Sequence, residues 1–184
     1  SWNTKGEPTS AGLTKLCNTK KLSLTNAFTH CGFVFDKPID LPEIPFDIGD
    51  YKLVEARVDS VKVSDARHIM NIFLDVDHIP LVHKNVYDRM GVIDNPIVEW
   101  EYFDNGSMQK VYHSHDPSKL IFVWLAIYPS IMIEWQPGAM FITEVLRNKN
   151  GVADIAVYKY KQASWLKWLY YSRTWETAWR QDKV

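Results

Sequence analysis

Residues 71–83 read Asn-Ile-Phe-Leu-Asp-Val-Asp-His-Ile-Pro-Leu-Val-His, and their polar members constrain the chain more than any other stretch. On a helix Asn71, Asp75 and His78 fall at i, i+4 and i+7 and form one polar stripe. Ile72, Phe73, Leu74 and Val76 cover most of the remaining surface, so this helix is expected to be buried. A buried polar stripe must be hydrogen-bonded or metal-bound, because unpaired burial costs roughly 2–7 kcal/mol by transfer data. His83 comes five residues after His78, which puts it about 140° round a straight helix and off the stripe. Pro80 stands between them and breaks or restarts a helix. A bend at Ile79-Pro80 returns His83 to the side of His78. Two neutral imidazoles converging in apolar surroundings suit a first-row transition metal. The plainer alternative is a pair of satisfied core histidines.

The flanks set the architecture. Tyr51–Val63 alternates as a strand, with Leu53, Glu55 and Arg57 against Val54, Ala56 and Val58. Ser64 or Asp65 is a suitable N-cap for the next helix. From His83 to Pro96 the chain is polar and irregular, and long enough to be a flap over a site. Beyond it the pattern is β. Val98, Trp100 and Tyr102 alternate with Glu99, Glu101 and Phe103, and Asp104-Asn105-Gly106-Ser107 carries the Asn-Gly hairpin signal. Gln109, Val111, His113 and His115 share a face of the return strand. Leu120–Tyr128 and Ser130–Trp135 are apolar runs, and Met140–Leu146 pairs with Val152–Tyr160 across residues 147–151. Ser164–Val184 is helical, with Trp165, Trp168, Leu169, Trp175 and Trp179 at three- and four-residue steps. The fold class is α+β: an antiparallel meander with a helix inserted early and a long helix late.

A facial-triad metal needs a carboxylate beside its two histidines. Glu144, Asp154, Glu176 and Asp182 are candidates, and periodicity favours Asp182, which ends a mostly apolar stripe of Tyr171, Trp175 and Ala178. The competing reading of Asp182 is a frayed helix end. A pocket between sheet and late helix would be lined by Trp100, Phe122, Trp124, Met132, Trp135 and Phe141, with His113 at its side. Such an aromatic wall suits an apolar or aromatic substrate, although ordinary core explains the same residues. His113-Ser114-His115 has the His-x-His form of a cupin site, but Lys119 and Leu120 stand where that site needs a Glu. Two exposed histidines at a strand end are the simpler account.

Composition bounds the rest. The 184 residues suit one domain and a piece of another, and 46% apolar and 14% aromatic content supports a sizeable core. A net charge of −1 argues against nucleic acid as a partner. No apolar run reaches the roughly 18–20 residues of a membrane span. Ser1-Trp2-Asn3-Thr4-Lys5-Gly6 lacks the form of a secretion signal, and without an initiator Met the chain reads as truncated or processed. Cys17 and Cys31 read as free thiols in a reducing cytoplasm rather than as a disulfide. A Rieske cluster needs two Cys and two His in paired motifs, and no Cys-x-His or Cys-x-x-His occurs.

Taken whole, Asn71-x3-Asp75-x2-His78-x4-His83 resembles the mononuclear iron site of the Rieske non-heme iron oxygenases, in the catalytic domain of their large (alpha) subunit. Met70 departs from the acidic residue that often precedes the Asn. Residues 1–6 resemble the segment just after that family's second cluster motif, and Gly32-Phe33-Val34-Phe35 resembles the strand closing its Rieske domain. Gln181-Asp182 resembles the step carrying its third iron ligand. The resemblance implies a helix-grip (START-like) antiparallel sheet wrapped on helices, preceded by the tail of an all-β Rieske domain. Residues 1–45 would be that remnant and the Pro- and Asp-rich connection, without cluster ligands, and residues 46–184 the catalytic domain. It further implies Fe(II) on His78, His83 and Asp182, with Asn71 near the metal. Asp75 would bridge a ligand histidine to a cluster histidine of a neighbouring subunit, for electron transfer in a homotrimer. The [2Fe-2S] cluster would belong to the full-length protein and not to this chain, which alone would be inactive. A reductase or ferredoxin would supply electrons. The implied reaction is O2-dependent hydroxylation, or O- or N-demethylation, of an aromatic or other apolar organic substrate. Two readings stay open beside it: a zinc-dependent hydrolase on the same ligands, for which Leu81 and Val82 supply no general base, and a metal-free helix-grip ligand-binding protein.

Overall fold

The computed structural model describes residues 28–30, 33–35, 45, 51–63, 65–83, 96–162 and 164–182. The chain divides into two units, residues 1–43 and 44–184. In the first, β1 (Phe28–His30) and β2 (Phe33–Phe35) pair antiparallel, Phe28 opposite Phe35. Residues 1–6, Gly32, both cysteines, the 36–50 connection apart from Pro45, Ser64 and the 84–95 flap lie outside the described residues.

In the second unit the described residues form a seven-stranded antiparallel sheet and three helices. Strand β3 (Lys52–Lys62) leads to α1 (Ala66–Leu74) and α2 (His78–Val82). The meander is β4 (Ile97–Phe103), β5 (Gly106–His113), β6 (Asp116–Ile127), β7 (Ile131–Gln136), β8 (Ala139–Lys149) and β9 (Val152–Lys161), with α3 (Trp165–Asp182) after it. Strand order is β3-β9-β8-β7-β6-β5-β4, so the early strand returns to the edge made by the last. No described helix is long and apolar enough to cross a membrane.

The turns explain three differences from the sequence reading. Strands β8 and β9 run on through Lys149 and Val152, which shortens the 147–151 loop to Asn150-Gly151. Both turn residues have positive φ, 56° and 73°, as a two-residue hairpin turn matching the strand twist requires. At the β4–β5 turn the pair Phe103–Gly106 leaves Asp104-Asn105 as the loop. Gly106 is needed there for space: a Cβ would lie 1.9 Å from the Ala126 carbonyl oxygen. His115 is not on β5. Asp116 already pairs with His113, so Ser114-His115 form the turn into β6.

One cross-sheet row positions the site. Reading partners from edge to edge, Trp100, Gln109, Trp124, Glu134, Phe141, Lys159 and Glu55 stand opposite one another in succession. Helix α3 buries Trp168, Ser172, Trp175, Ala178 and Trp179. Trp175 stacks on Phe141, and Trp179 on Phe73 of α1. On β3 the alternation is the reverse of the usual one. Arg57 and Asp59 are half-buried while Val58 is 59% exposed. The polar face meets polar groups of α3: Arg57 bonds Glu176, and Asp59 accepts the Trp179 indole N–H at 2.8 Å.

Candidate metal centre

The helix carrying the motif breaks earlier than Pro80. Helix α1 closes as Asp75 N–H donates to the Asn71 and Ile72 carbonyls at 3.0 and 3.2 Å. The chain then turns through Asp75–Asp77 and restarts at His78. Pro80 is the third residue of α2, inside the first turn, where its missing N–H has no intrahelical bond to lose. The single polar stripe is therefore not preserved. Asn71 and Asp75 are exposed, His78 is half-buried and His83 is 2% exposed. His83 lies just past the last turn of α2 with φ −110° and ψ 20°, and its N–H is held by the Ile79 carbonyl at 2.9 Å. This compact restart brings the two rings together.

Their Nε2 atoms lie 3.1 Å apart, with ring planes at 76°. Asp182, at the end of α3, puts Oδ1 2.9 Å from His83 Nε2 and 3.7 Å from His78 Nε2. Its side chain is 11% exposed, so it is no frayed end. Donors about 2.1 Å from one ion and about 90° apart stand about 3.0 Å from each other. The three observed spacings surround that value, and the N,N,O donor set is that of a non-heme iron facial triad. His78, His83 and Asp182 thus fit a divalent metal.

Neighbouring groups fix both rings. Gln181 Oε1 accepts from His83 Nδ1 at 2.7 Å, and His78 Nδ1 meets the backbone carbonyl of Asp75. With its Nδ1 proton so held, each ring, when neutral, presents its Nε2 lone pair inward. Burial pushes the His83 imidazole down, but hydrogen bonds to Asp182 and Gln181, and the charges of Asp182 and Glu134, hold it above its ordinary range.

A small pocket, with room for little more than a water molecule, adjoins the triad. Besides the three donors it is lined by Phe73, Ile79, Trp124, Glu134, Trp175, Ala178 and Trp179. Glu134 is 4% exposed. Burial pushes its carboxyl up to about 7, against the Gln136 amide, which donates at 2.6 Å, and the indole N–H of Trp124. That N–H is near enough to oppose the shift, yet is not aligned for a hydrogen bond.

Of the expected residues, Trp124 lines the pocket. Phe141 stands behind the wall, stacked 5.2 Å from Trp175. Trp135 does not line it. Pairing with Val123 puts Trp135 on the opposite face from Glu134, where its indole donates to Tyr51 Oη at 2.6 Å. Trp100 belongs to the right row but sits on the edge strand, 45% exposed and stacked on Tyr102. His113 accepts the His115 N–H at 3.2 Å at a strand end, away from the pocket lining. Exposed Asn71 is likewise not among the lining residues. The Asp75 carboxylate accepts the Asp77 N–H at 3.2 Å rather than the His78 ring, because the helix break removes it from the turn below His78.

Sequence reading missed Glu134 and Gln181. Glu134 had a signal: a lone acid in the apolar run Ile131–Trp135 is a buried charge, and the β6–β7 register sets it opposite Trp124. Gln181 stood beside Asp182 with nothing to mark its role.

No family model and no curated protein matches the chain. Solved structures do. The quaternary ammonium Rieske monooxygenase CntA in complex with γ-butyrobetaine superposes at TM-score 0.62 and 14% identity, over 97% of this chain and 54% of that one. Its complex with L-carnitine gives 0.63 and 14%, over 96% and 53%. NdmB of Pseudomonas putida CBB5 gives 0.52 and 15%, over 77% and 44%. The chain has the fold of the Rieske oxygenase catalytic domain. It spans about half the length of the CntA chains that it matches.

Proposed function

We propose that the chain is the catalytic portion of an O2-dependent Rieske-type oxygenase. His78, His83 and Asp182 would hold Fe(II). The metal, when bound, supplies O2 activation. The chain's own residues do the rest. Gln181 and the Asp75 carbonyl aim the two imidazoles, while Ile79, Ala178 and the aromatic wall keep water from the pocket. The fold is read as helix-grip, with residues 1–45 the tail of a Rieske domain whose [2Fe-2S] cluster lies elsewhere in the full-length protein. Electrons would come from a reductase or ferredoxin. The exposed carboxylate of Asp75, whose own carbonyl touches His78, is the relay to a neighbouring subunit's cluster in a homotrimer. Hydroxylation and demethylation of a small organic substrate in the cytoplasm are the reactions in view.

The spacing of three donors about one point carries this reading. Anaerobic reconstitution should load about one Fe per chain, and His78→Ala with His83→Ala should abolish it. Equal iron in the double variant overturns the site. Preference for zinc with hydrolytic turnover would favour the hydrolase reading, and absence of any metal the ligand-binding one.

A further inference from the structure

We propose that Trp179 is a redox-active residue of the metal pocket, oxidised by one electron while Asp59 takes its indole proton. The inference rests on the oxygenase reading for the oxidant, a triad metal ion that O2 has oxidised with no substrate present, but not for the chemistry of Trp179 itself.

Phe73, Trp179, Trp175 and Phe141 form one stack, at centroid separations of 5.6, 5.6 and 5.2 Å and with adjacent planes 9°, 17° and 12° from parallel. Its first three rings line the pocket beside the triad. A phenyl ring holds its electrons too tightly to give one up, so the two buried indoles are the donors of the stack. Their electrostatics differ. The Lys159 ammonium stands over the Trp175 ring at 5.6 Å and the Arg57 guanidinium at 6.0 Å. Both cations also pair with Glu176. A cation is drawn to an electron-rich ring face and repelled by one that has lost an electron, so this pair keeps Trp175 reduced. Trp179 instead donates its indole N–H to Asp59 Oδ2 at 2.8 Å. An anion there favours the positive charge that oxidation creates. Loss of an electron also makes the indole N–H strongly acidic, and the hydrogen-bonded carboxylate is its acceptor. Arg57 Nε holds the other oxygen of Asp59 at 3.1 Å, which fixes the carboxylate toward the indole. Burial alone does not supply such a partner, since the buried indole N–H groups of Trp124 and Trp168 have no aligned acceptor.

One electron passes from Trp179 to the oxidised metal ion, which is reduced by one electron. The N–H proton moves to Asp59 Oδ2 and leaves a neutral indolyl radical beside a carboxylic acid. The external electron donor then returns one electron, and Asp59 returns the proton. The oxidised metal thereby draws on Trp179 and spares its own ligands, His78 and His83.

The test uses the full chain, metal-free in chelator, with a photogenerated ruthenium(III) tris-bipyridine complex as the one-electron oxidant. Transient absorption and freeze-quench electron paramagnetic resonance read the radical. The parent should form a long-lived neutral indolyl radical. Trp179→Phe keeps a ring in the stack and should lose that radical. Trp175→Phe makes the same change one place along the stack and should keep it. Asp59→Asn keeps an acceptor for the indole N–H but removes the charge, and should shift the spectrum from the neutral radical to the protonated radical cation. An undiminished radical in Trp179→Phe, or its equal loss in Trp175→Phe, overturns the proposal. So does an unchanged yield of neutral radical in Asp59→Asn, or no long-lived indolyl radical in the parent. A second arm adds hydrogen peroxide to the iron-loaded chain without substrate, and peptide mass spectrometry should find oxidation at Trp179. Oxidation confined to His78 and His83 overturns the claim that the metal draws on Trp179. A chain that forms the Trp179 radical but never takes up iron sinks the oxygenase reading and leaves the redox chemistry of Trp179 standing.

Discussion

Glu134 should weaken the fold that holds it, by an amount that can be worked out. Its carboxyl is raised from 4.5 to about 7 by burial. A carboxyl with a raised folded-state value binds its proton more tightly folded than unfolded. Its penalty is absent below the unfolded value, grows as pH rises from about 4.5 to 7, and is constant above. Each unit is about 1.4 kcal/mol, so the full penalty is about 3 kcal/mol. His83, held above its ordinary value of 6.5, titrates at the upper end of that range and beyond it, with the opposite sense. Its raised value gives stability that is present below the unfolded value and lost as pH rises through the folded one. The comparison must therefore be between parent and Glu134→Gln, both metal-free in chelator, so that His83 and Asp182 contribute to both. Urea unfolding followed by tryptophan fluorescence between pH 4.5 and 8.5 measures it. Near pH 4.5 the two should be of similar stability, and at pH 8 the Gln variant should be more stable by about 2–3 kcal/mol. Parallel stability curves across that range would refute the reasoning, because Glu134 would then be no more costly to ionise folded than unfolded.

Gln181→Leu removes the acceptor at His83 Nδ1 and should weaken Co(II) or Fe(II) binding about 10–100-fold with little change in unfolding midpoint. Gly106→Ala drives a Cβ into the Ala126 carbonyl and should destabilise by about 1–3 kcal/mol or more, read by the same urea titration. In the full-length protein Asp75→Asn should keep iron and cluster but slow O2-linked cluster oxidation by orders of magnitude in rapid mixing. Asp77→Asn, also exposed, serves as control and should leave the rate unchanged.

Local chemistry made the meander and the late helix legible. Alternation places β4 to β9 within a few residues, and the tryptophan steps place α3. What the sequence left hidden depends on register. Trp124 and Trp135 look equally good as pocket residues until the Val123–Trp135 pairing is known, after which Glu134 and not Trp135 must share the face of Trp124. Helix phase hid the rest. A continuous helix through His78 puts Asn71 and Asp75 beneath it, whereas three turn residues, Asp75–Asp77, rotate both into solvent. That the two histidines meet Asp182 was legible from their residue types and from the apolar stripe that Asp182 ends, whereas the break that brings them together lies before His78 and not at Pro80.

Asp182 sits on the last turn of a helix, a place that ordinarily frays, so its position needs support from earlier turns. That support is a polar contact inside an aromatic layer. Lys159 is 2% exposed and reaches Glu176 of α3 and Glu55 of β3, and Arg57 reaches the same Glu176. Burial works against the charge of Glu176, but hydrogen bonds from Arg57 and Lys159 hold its carboxyl below its ordinary range. One turn on, Trp179 donates to Asp59, and Gln181 then accepts from His83 Nδ1. The α3 side chains at 175, 176, 179 and 181 are thus fixed in turn to β8, to β9 and β3, to β3 and to His83 before Asp182 is reached. Breaking a buried pair by removing one partner costs about 3–5 kcal/mol, far more than the pair is worth against a packed apolar substitute. A charged clamp on a half-polar strand is therefore poorly explained by stability alone. It is well explained as the device that holds the end of α3 in register with His83.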